Sequence, residues 1–233
     1  MARLGTFGSV AAISLLLAQS VCAQSAPYRA WGVEPAWHAI LFDDRIEIST
    51  RFGQASVTLP APIIRETGTG MVVDLPTINT QLVLSDTLCR DIAVGMPHPQ
   101  TAELHFNGEF LFGCGGSPAS LIADTTWRIE MVGDMLMQDT DPALIEFRDS
   151  DTLSGTTGCN GFFGKYHMNG EGIVLDDIAG TRMACPAPLD KQERVVFDAL
   201  RSTRRFDFDA TGRLLLIGGP NDAALVTAVP HKE

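Results

Sequence analysis

Short stretches in which apolar and polar residues alternate, separated by Gly, Pro, Asn or Asp, recur along nearly the whole chain. In the first half they are Ile46/Ile48, Ala55/Val57/Leu59, Met71 to Leu75, Leu82 to Leu84, Ala102/Leu104/Phe106 and Phe110 to Phe112. A period of two puts every other side chain on one face of a strand, so these runs predict an antiparallel sheet or barrel. The second half opens with Trp127/Ile129/Met131 and Ala143/Ile145/Phe147. It continues with Ile173-Val174-Leu175 and Ile178, Phe206/Phe208, Leu214 to Ile217 and Leu225 to Val229, with Thr211-Gly212 as a hairpin turn. One segment has a different period. Asp190-Lys191-Gln192-Glu193 reads as a capping box, and Val196, Ala199 and Leu200 share a helical face with Val195 beside it. This predicts one amphipathic helix of about twelve residues, ending near Arg201-Ser202.

The expected fold class is α+β, predominantly antiparallel β. Gly115-Gly116-Ser117-Pro118 interrupts the pattern and is a natural boundary. Two small β-rich domains are expected, residues 28–118 and 124–230, the second carrying the helix.

The N-terminus departs from this pattern. Arg3, the apolar run Val10 to Leu17 and Val21-Cys22-Ala23 before Gln24 read as a secretory signal peptide over residues 1–23. The run is too short for a comfortable membrane span. Cys22 offers a rival reading as an acylated lipoprotein cysteine, although Val21 before it fits poorly. No membrane anchor is expected unless Cys22 is lipidated, and the expected location is periplasmic or secreted. Cleavage removes one Arg and no acid, taking the formal charge from −11 to −12. An acidic chain without a basic run is a poor binder of nucleic acid or anionic membrane.

Four cysteines survive cleavage: Cys89, Cys114, Cys159 and Cys185. An even count in an exported chain reads as two disulfides. Three pairings are possible, and the local one, Cys89–Cys114 with Cys159–Cys185, places one bridge in each half. Each would close a loop of ~25 residues, worth roughly 3 kcal/mol in the chain-entropy model.

Thr157-Gly158-Cys159-Asn160-Gly161-Phe162-Phe163-Gly164-Lys165-Tyr166 is the most distinctive stretch. Its glycines allow positive φ or close approach, its Phe pair supplies buried surface, and Asn160 suits a turn, so it reads as a tight turn entering a strand. Together with Trp127, Thr181-Arg182-Met183-Ala184-Cys185 and Gly212-Arg213-Leu214-Leu215-Leu216, it resembles a META domain, the module of HslJ-like bacterial proteins, from about Thr126 to Val229. The resemblance implies a small β-rich domain of cell-envelope proteins associated with stress tolerance, without an agreed enzymatic activity. Gly32-x-Glu34-Pro35-x-Trp37, Cys89-x-Asp91, Met96-Pro97-x-Pro99 and Gly113-Cys114-Gly115 resemble an uncharacterised bacterial envelope domain, over about Tyr28 to Gly116.

Reactive chemistry is thinly represented. Cys89, His98, His105 and Cys114 imitate a two-Cys, two-His zinc set, but the spacing is not that of a finger and export favours the disulfide. Cys159 sits among glycines like a nucleophile, yet Cys185 offers it a disulfide partner. Asp149-Ser150-Asp151 begins like a calcium loop and lacks the Gly and terminal Glu. No cofactor, metal or catalytic residue is expected. The candidate binding residues are Trp31, Glu34 and Trp37, an acid among aromatics, and Asn160 and Arg182 in the second half.

Three functions follow. The first is an exported non-enzymatic envelope protein that binds an envelope protein or small ligand, or serves stress tolerance. The second is an inhibitor of a cationic envelope-attacking enzyme such as lysozyme, steered by acidic charge. The third is a hydrolase or metalloenzyme using Glu34 or the Cys/His set.

Overall fold

The computed structural model describes residues 26–148, 151–219 and 221–232. The expected leader at residues 1–23, Cys22 included, lies outside the described residues, as do Asp149 and Ser150.

The first half contains β1 (Tyr28–Val33), β2 (Ala36–Leu41), β3 (Arg45–Thr50), β4 (Ala55–Pro60), β5 (Ile63–Thr67), β6 (Gly70–Leu75), β7 (Thr80–Ser85), β8 (Cys89–Arg90), β9 (Pro97–His98), β10 (Gln100–Phe106) and β11 (Glu109–Gly115). Nine of these form one antiparallel sheet in the order β4-β3-β2-β1-β11-β10-β7-β6-β5, while β8 and β9 pair separately. The two edge strands, β4 and β5, are consecutive in the chain and separated only by Ala61-Pro62. The sheet therefore curls until its edges meet at that corner, in the manner of a barrel. Ala30, Trp37, Ala39, Ile46, Ile48, Leu82, Leu104 and Leu111 fill the inside. On β11 the phase puts Leu111 inward and leaves Phe110 and Phe112 61% and 65% exposed.

The second half contains β12 (Thr125–Val132), β13 (Met135–Leu136), β14 (Ala143–Arg148), β15 (Thr152–Thr156), β16 (Gly161–Met168), β17 (Ile173–Gly180), α1 (Ala187–Ser202), β18 (Thr203–Phe208), β19 (Leu214–Gly218) and β20 (Ala223–Pro230). The strand order is β17-β16-β15-β14-β12-β20-β19-β18, with β13 added beside β12. The outer strands β17 and β18 approach each other: a Cβ on Gly172 would lie 2.0 Å from the Arg204 carbonyl. Helix α1 joins these two strands and buries Val196, Ala199 and Leu200 against the sheet. The fold is α+β with antiparallel strands predominant.

The helix differs from the expected one at its start. It begins at Ala187 behind Pro186, and the Asp190 amide already donates to the Pro186 carbonyl, so Asp190 lies in the first turn and is not the cap. Proline at the first helical positions explains the earlier start. Glu193 does not complete a capping box either, because its carboxylate accepts from Asn160 and Thr157.

The two halves are joined by more than the linker. Arg90 of β8 places Nε 3.1 and 3.0 Å from the two carboxylate oxygens of Asp207 on β18, and its Nη2 donates to the Phe208 carbonyl. Between β8 and β9 the chain makes a tight loop in which the Asp91 side chain accepts the Ala93 and Val94 amides. The end of that loop packs Met96, 6% exposed, into the core of the second half, with Val94 against it.

Candidate functional site

The β1–β11 ladder ends at Trp31↔Cys114. Beyond it Gly32 and Gly113 let the two strands pass too closely for side chains: a Cβ on Gly113 would lie 2.0 Å from the Trp31 carbonyl, and one on Gly32 would lie 2.2 Å from that of Phe112. Trp37 takes over one lost ladder bond, donating its indole N–H to the Phe112 carbonyl at 3.1 Å. Its ring is buried in the first core, so Trp37, expected as a binding residue, packs inside the first sheet.

Trp31 lies on the opposite face of β1. Its indole N–H donates to Asp91 at 2.9 Å, and its ring meets that of buried His98 edge-on, the centroids 4.5 Å apart. A groove of about 220 Å³ runs alongside, bounded by Trp31, Val33, Ile92, Phe112 and the Cys89–Cys114 disulfide. Further hollows of about 350 Å³ and 280 Å³ also border Trp31, the first reaching Phe52.

Three ionisable side chains line the groove: Glu34, Arg90 and Asp91. Arg90 is held by Asp207. For Asp91, burial raises the pKa, but the bonds from Trp31, Ala93 and Val94 and the nearby His98 outweigh it, and the carboxyl sits below its ordinary range. Burial likewise keeps the His98 ring below its ordinary 6.5, against the Gly116 carbonyl and Asp91, which both favour the charged form. Glu34, exposed in the β1–β2 turn, has no hydrogen-bond or ion-pair partner among the described residues.

The other candidates do not converge on this place. Asn160 is 1% exposed, and its amide is saturated. Nδ2 donates to the Met183 carbonyl and to Glu193 at 3.2 and 2.8 Å, while Oδ1 accepts from Thr181 and the Met183 amide at 2.6 and 2.9 Å. Around it Gln192, fully buried, donates to the Thr157 and Asp141 carbonyls and accepts the Gln138 amide. This network ties the Thr157–Asn160 turn, the segment after β17 and α1 into one unit. Arg182 stands exposed in that segment.

The cysteines are bonded Cys89–Cys114 and Cys159–Cys185, the local pairing. The alternatives weighed against these bridges, a zinc set and a Cys159 thiol, are left without a free sulfur among these four, since a sulfur in a disulfide is neither a thiolate ligand nor a nucleophile. The histidines of the zinc set are engaged as well, His98 with the Gly116 carbonyl and His105 with Glu103. Ile92, Phe112 and Arg90 were absent from the expected site. The glycines flanking the Cys114 strand hint at close backbone approach there, but the outward phase of Phe112 has no signal in the sequence.

The family model described as META domain matches residues 120–231, the C-terminal half of the chain. No curated protein matches the chain at a significant level. An NMR structure of a protein from Burkholderia xenovorans is similar at 23% identity, covering 49% of this chain and 87% of that one with a TM-score of 0.41. A second protein structure solved by NMR is similar at 21% identity, covering 47% of this chain and 91% of that one with a TM-score of 0.39.

Proposed function

We propose that the protein is an exported component of the cell envelope that acts by binding, through the groove beside Trp31, and contributes to tolerance of envelope stress. The observation that carries the reading is the groove's chemistry. Its walls are apolar and aromatic, two of its three charged groups are already committed to internal partners, and the remaining carboxylate sits at the edge. Such a site holds a ligand without supplying an acid–base pair to transform it. Two disulfides support an oxidising, extracytoplasmic location, and the META domain supports the envelope role.

Two measurements test this. The intact mass of chain recovered from an exporting host is expected to lack residues 1–23, carry no lipid and show no free thiol before reduction; a retained leader or an acylated Cys22 contradicts soluble export. A strain deleted for the gene is expected to be sensitised to envelope damage, and the intact protein to restore tolerance. Restoration to the same degree by a folded Trp31→Ala protein would reject the groove as the working site.

A further inference from the structure

From the groove we infer the chemical class of what it binds: the basic side chain, Lys or Arg, of a segment of a partner protein. The inference rests on the binding role just proposed and goes further by naming the ligand chemistry.

Size comes first. At about 220 Å³ the groove is smaller than the ~300–1,000 Å³ of sites that enclose whole small molecules or cofactors. It accommodates one long side chain. Wall chemistry is the second constraint: Trp31, Val33, Phe112 and the disulfide offer apolar surface to an aliphatic stem, and Trp31 adds an aromatic ring with which a cation interacts favourably.

The third is charge. Asp91 is turned inward onto Trp31 and the loop amides, and Arg90 is held by Asp207. Glu34 is left as the carboxylate at the rim available to an incoming charge. A sugar would need several convergent polar groups, and these walls do not present them. An apolar stem ending in a positive charge matches all three constraints.

The surroundings choose between a free amine and a side chain of a polypeptide. Phe112 continues outward into Phe110, and Ile92 stands 73% exposed on the facing loop. A small cation in the groove would leave this apolar rim in water, whereas a peptide segment covers it. The formal charge of −11 draws a basic partner towards the protein.

The test uses the full mature chain, following the Trp31 indole N–H resonance assigned with Trp31→Phe. Blocked peptides identical except for a central Lys, Arg, Nε-acetyl-lysine or norleucine are titrated, with spermidine as the free-amine arm. Lys and Arg peptides are expected to shift the resonance and the acetylated and norleucine peptides not to. Glu34→Gln, an exposed turn substitution, should weaken the charged peptides about ten-fold, as should raising salt to about 0.5 M. Equal response to charged and neutral peptides, or indifference to Glu34→Gln, overturns the cation claim while leaving a binding groove. Spermidine binding as tightly as the Lys peptide overturns the partner-protein claim. Silence of Trp31 towards every probe overturns the inference, and the Trp31→Ala restoration experiment then decides the binding role separately.

Discussion

One carboxylate oxygen of Asp91 accepts the indole N–H of Trp31 at 2.9 Å, while the other accepts the Ala93 and Val94 amides. The same side chain thus fixes a wall of the groove and shapes the loop that enters the second core. Asp91→Ala would leave three donors without their acceptor, and about 1–3 kcal/mol of stability should be lost. Urea unfolding measures the loss. A shift in Trp31 emission before the transition would show that the ring has moved.

Stability should fall as the solution is acidified from neutrality, before the carboxylates titrate. The folded His98 ring has a pKa below 6.5, so between that lowered value and 6.5 the unfolded chain binds more protons than the folded one. Stability carried by neutral His98 is complete above 6.5 and is lost as pH falls through the folded pKa. The groups facing the ring are the Gly116 carbonyl, Trp31 and the Asp91 carboxylate, whose charge moderates the effect. Melting temperatures of the intact protein should decline over this window, and those of His98→Phe should decline less.

The two disulfides should have similar energetic weight and different local consequences. They span 25 and 26 residues, so each should contribute about 3 kcal/mol in the chain-entropy model. Replacing Cys89 and Cys114 together by Ala frees β8, and with it one wall of the groove. Replacing Cys159 and Cys185 should leave the Trp31 signal in near-ultraviolet circular dichroism unchanged. Calorimetry and dichroism on both double variants separate the two effects.

Asn160→Ala should cost about 3 kcal/mol, because it strands buried partners in the Thr181, Met183 and Glu193 network. Asn160→Asp keeps the shape but puts a second carboxylate where Nδ2 lies 2.8 Å from Glu193. It should be destabilised at neutral pH and recover part of the loss on acidification, because protonating either acid removes the like-charge repulsion. Equal stability of Asn160→Asp and the intact protein at neutral pH would show that the network does not hold the turn.

The sequence carried different parts of this molecule with unequal clarity. Alternation located the runs at Ile46/Ile48, Ala143/Ile145/Phe147 and Leu214 to Ile217 because one face of each is buried and the other is not. It missed β5, all of whose residues are exposed, since no face of that strand is selected to be apolar. It gave the position of Phe110 to Phe112 but not the phase: a shift of one residue exchanges inside and outside, and here the smaller Leu111 is the buried one. Trp31 and Glu34 were legible as an acid among aromatics. The groove was not, because Ile92 and Phe112 reach it through pairings distant in sequence. Asn160 was noticed for its turn chemistry, and only the fold shows that its amide is consumed internally.

Met96 carries a consequence for how the molecule can be divided. The family-model match begins at residue 120, but the core that this half needs includes a side chain supplied from before that point. Homology and cooperativity therefore draw different boundaries. Residues 120–231 produced alone would have a hole where Met96 belongs, comparable to a Met→Ala truncation at about 2–5 kcal/mol. Extending the fragment a few residues would not fill it, because the loop lies between β8 and β9, which pair with each other, and β8 is held to β11 by the Cys89–Cys114 disulfide. The intact chain should melt in one calorimetric transition, with neither half remaining folded after the other has gone.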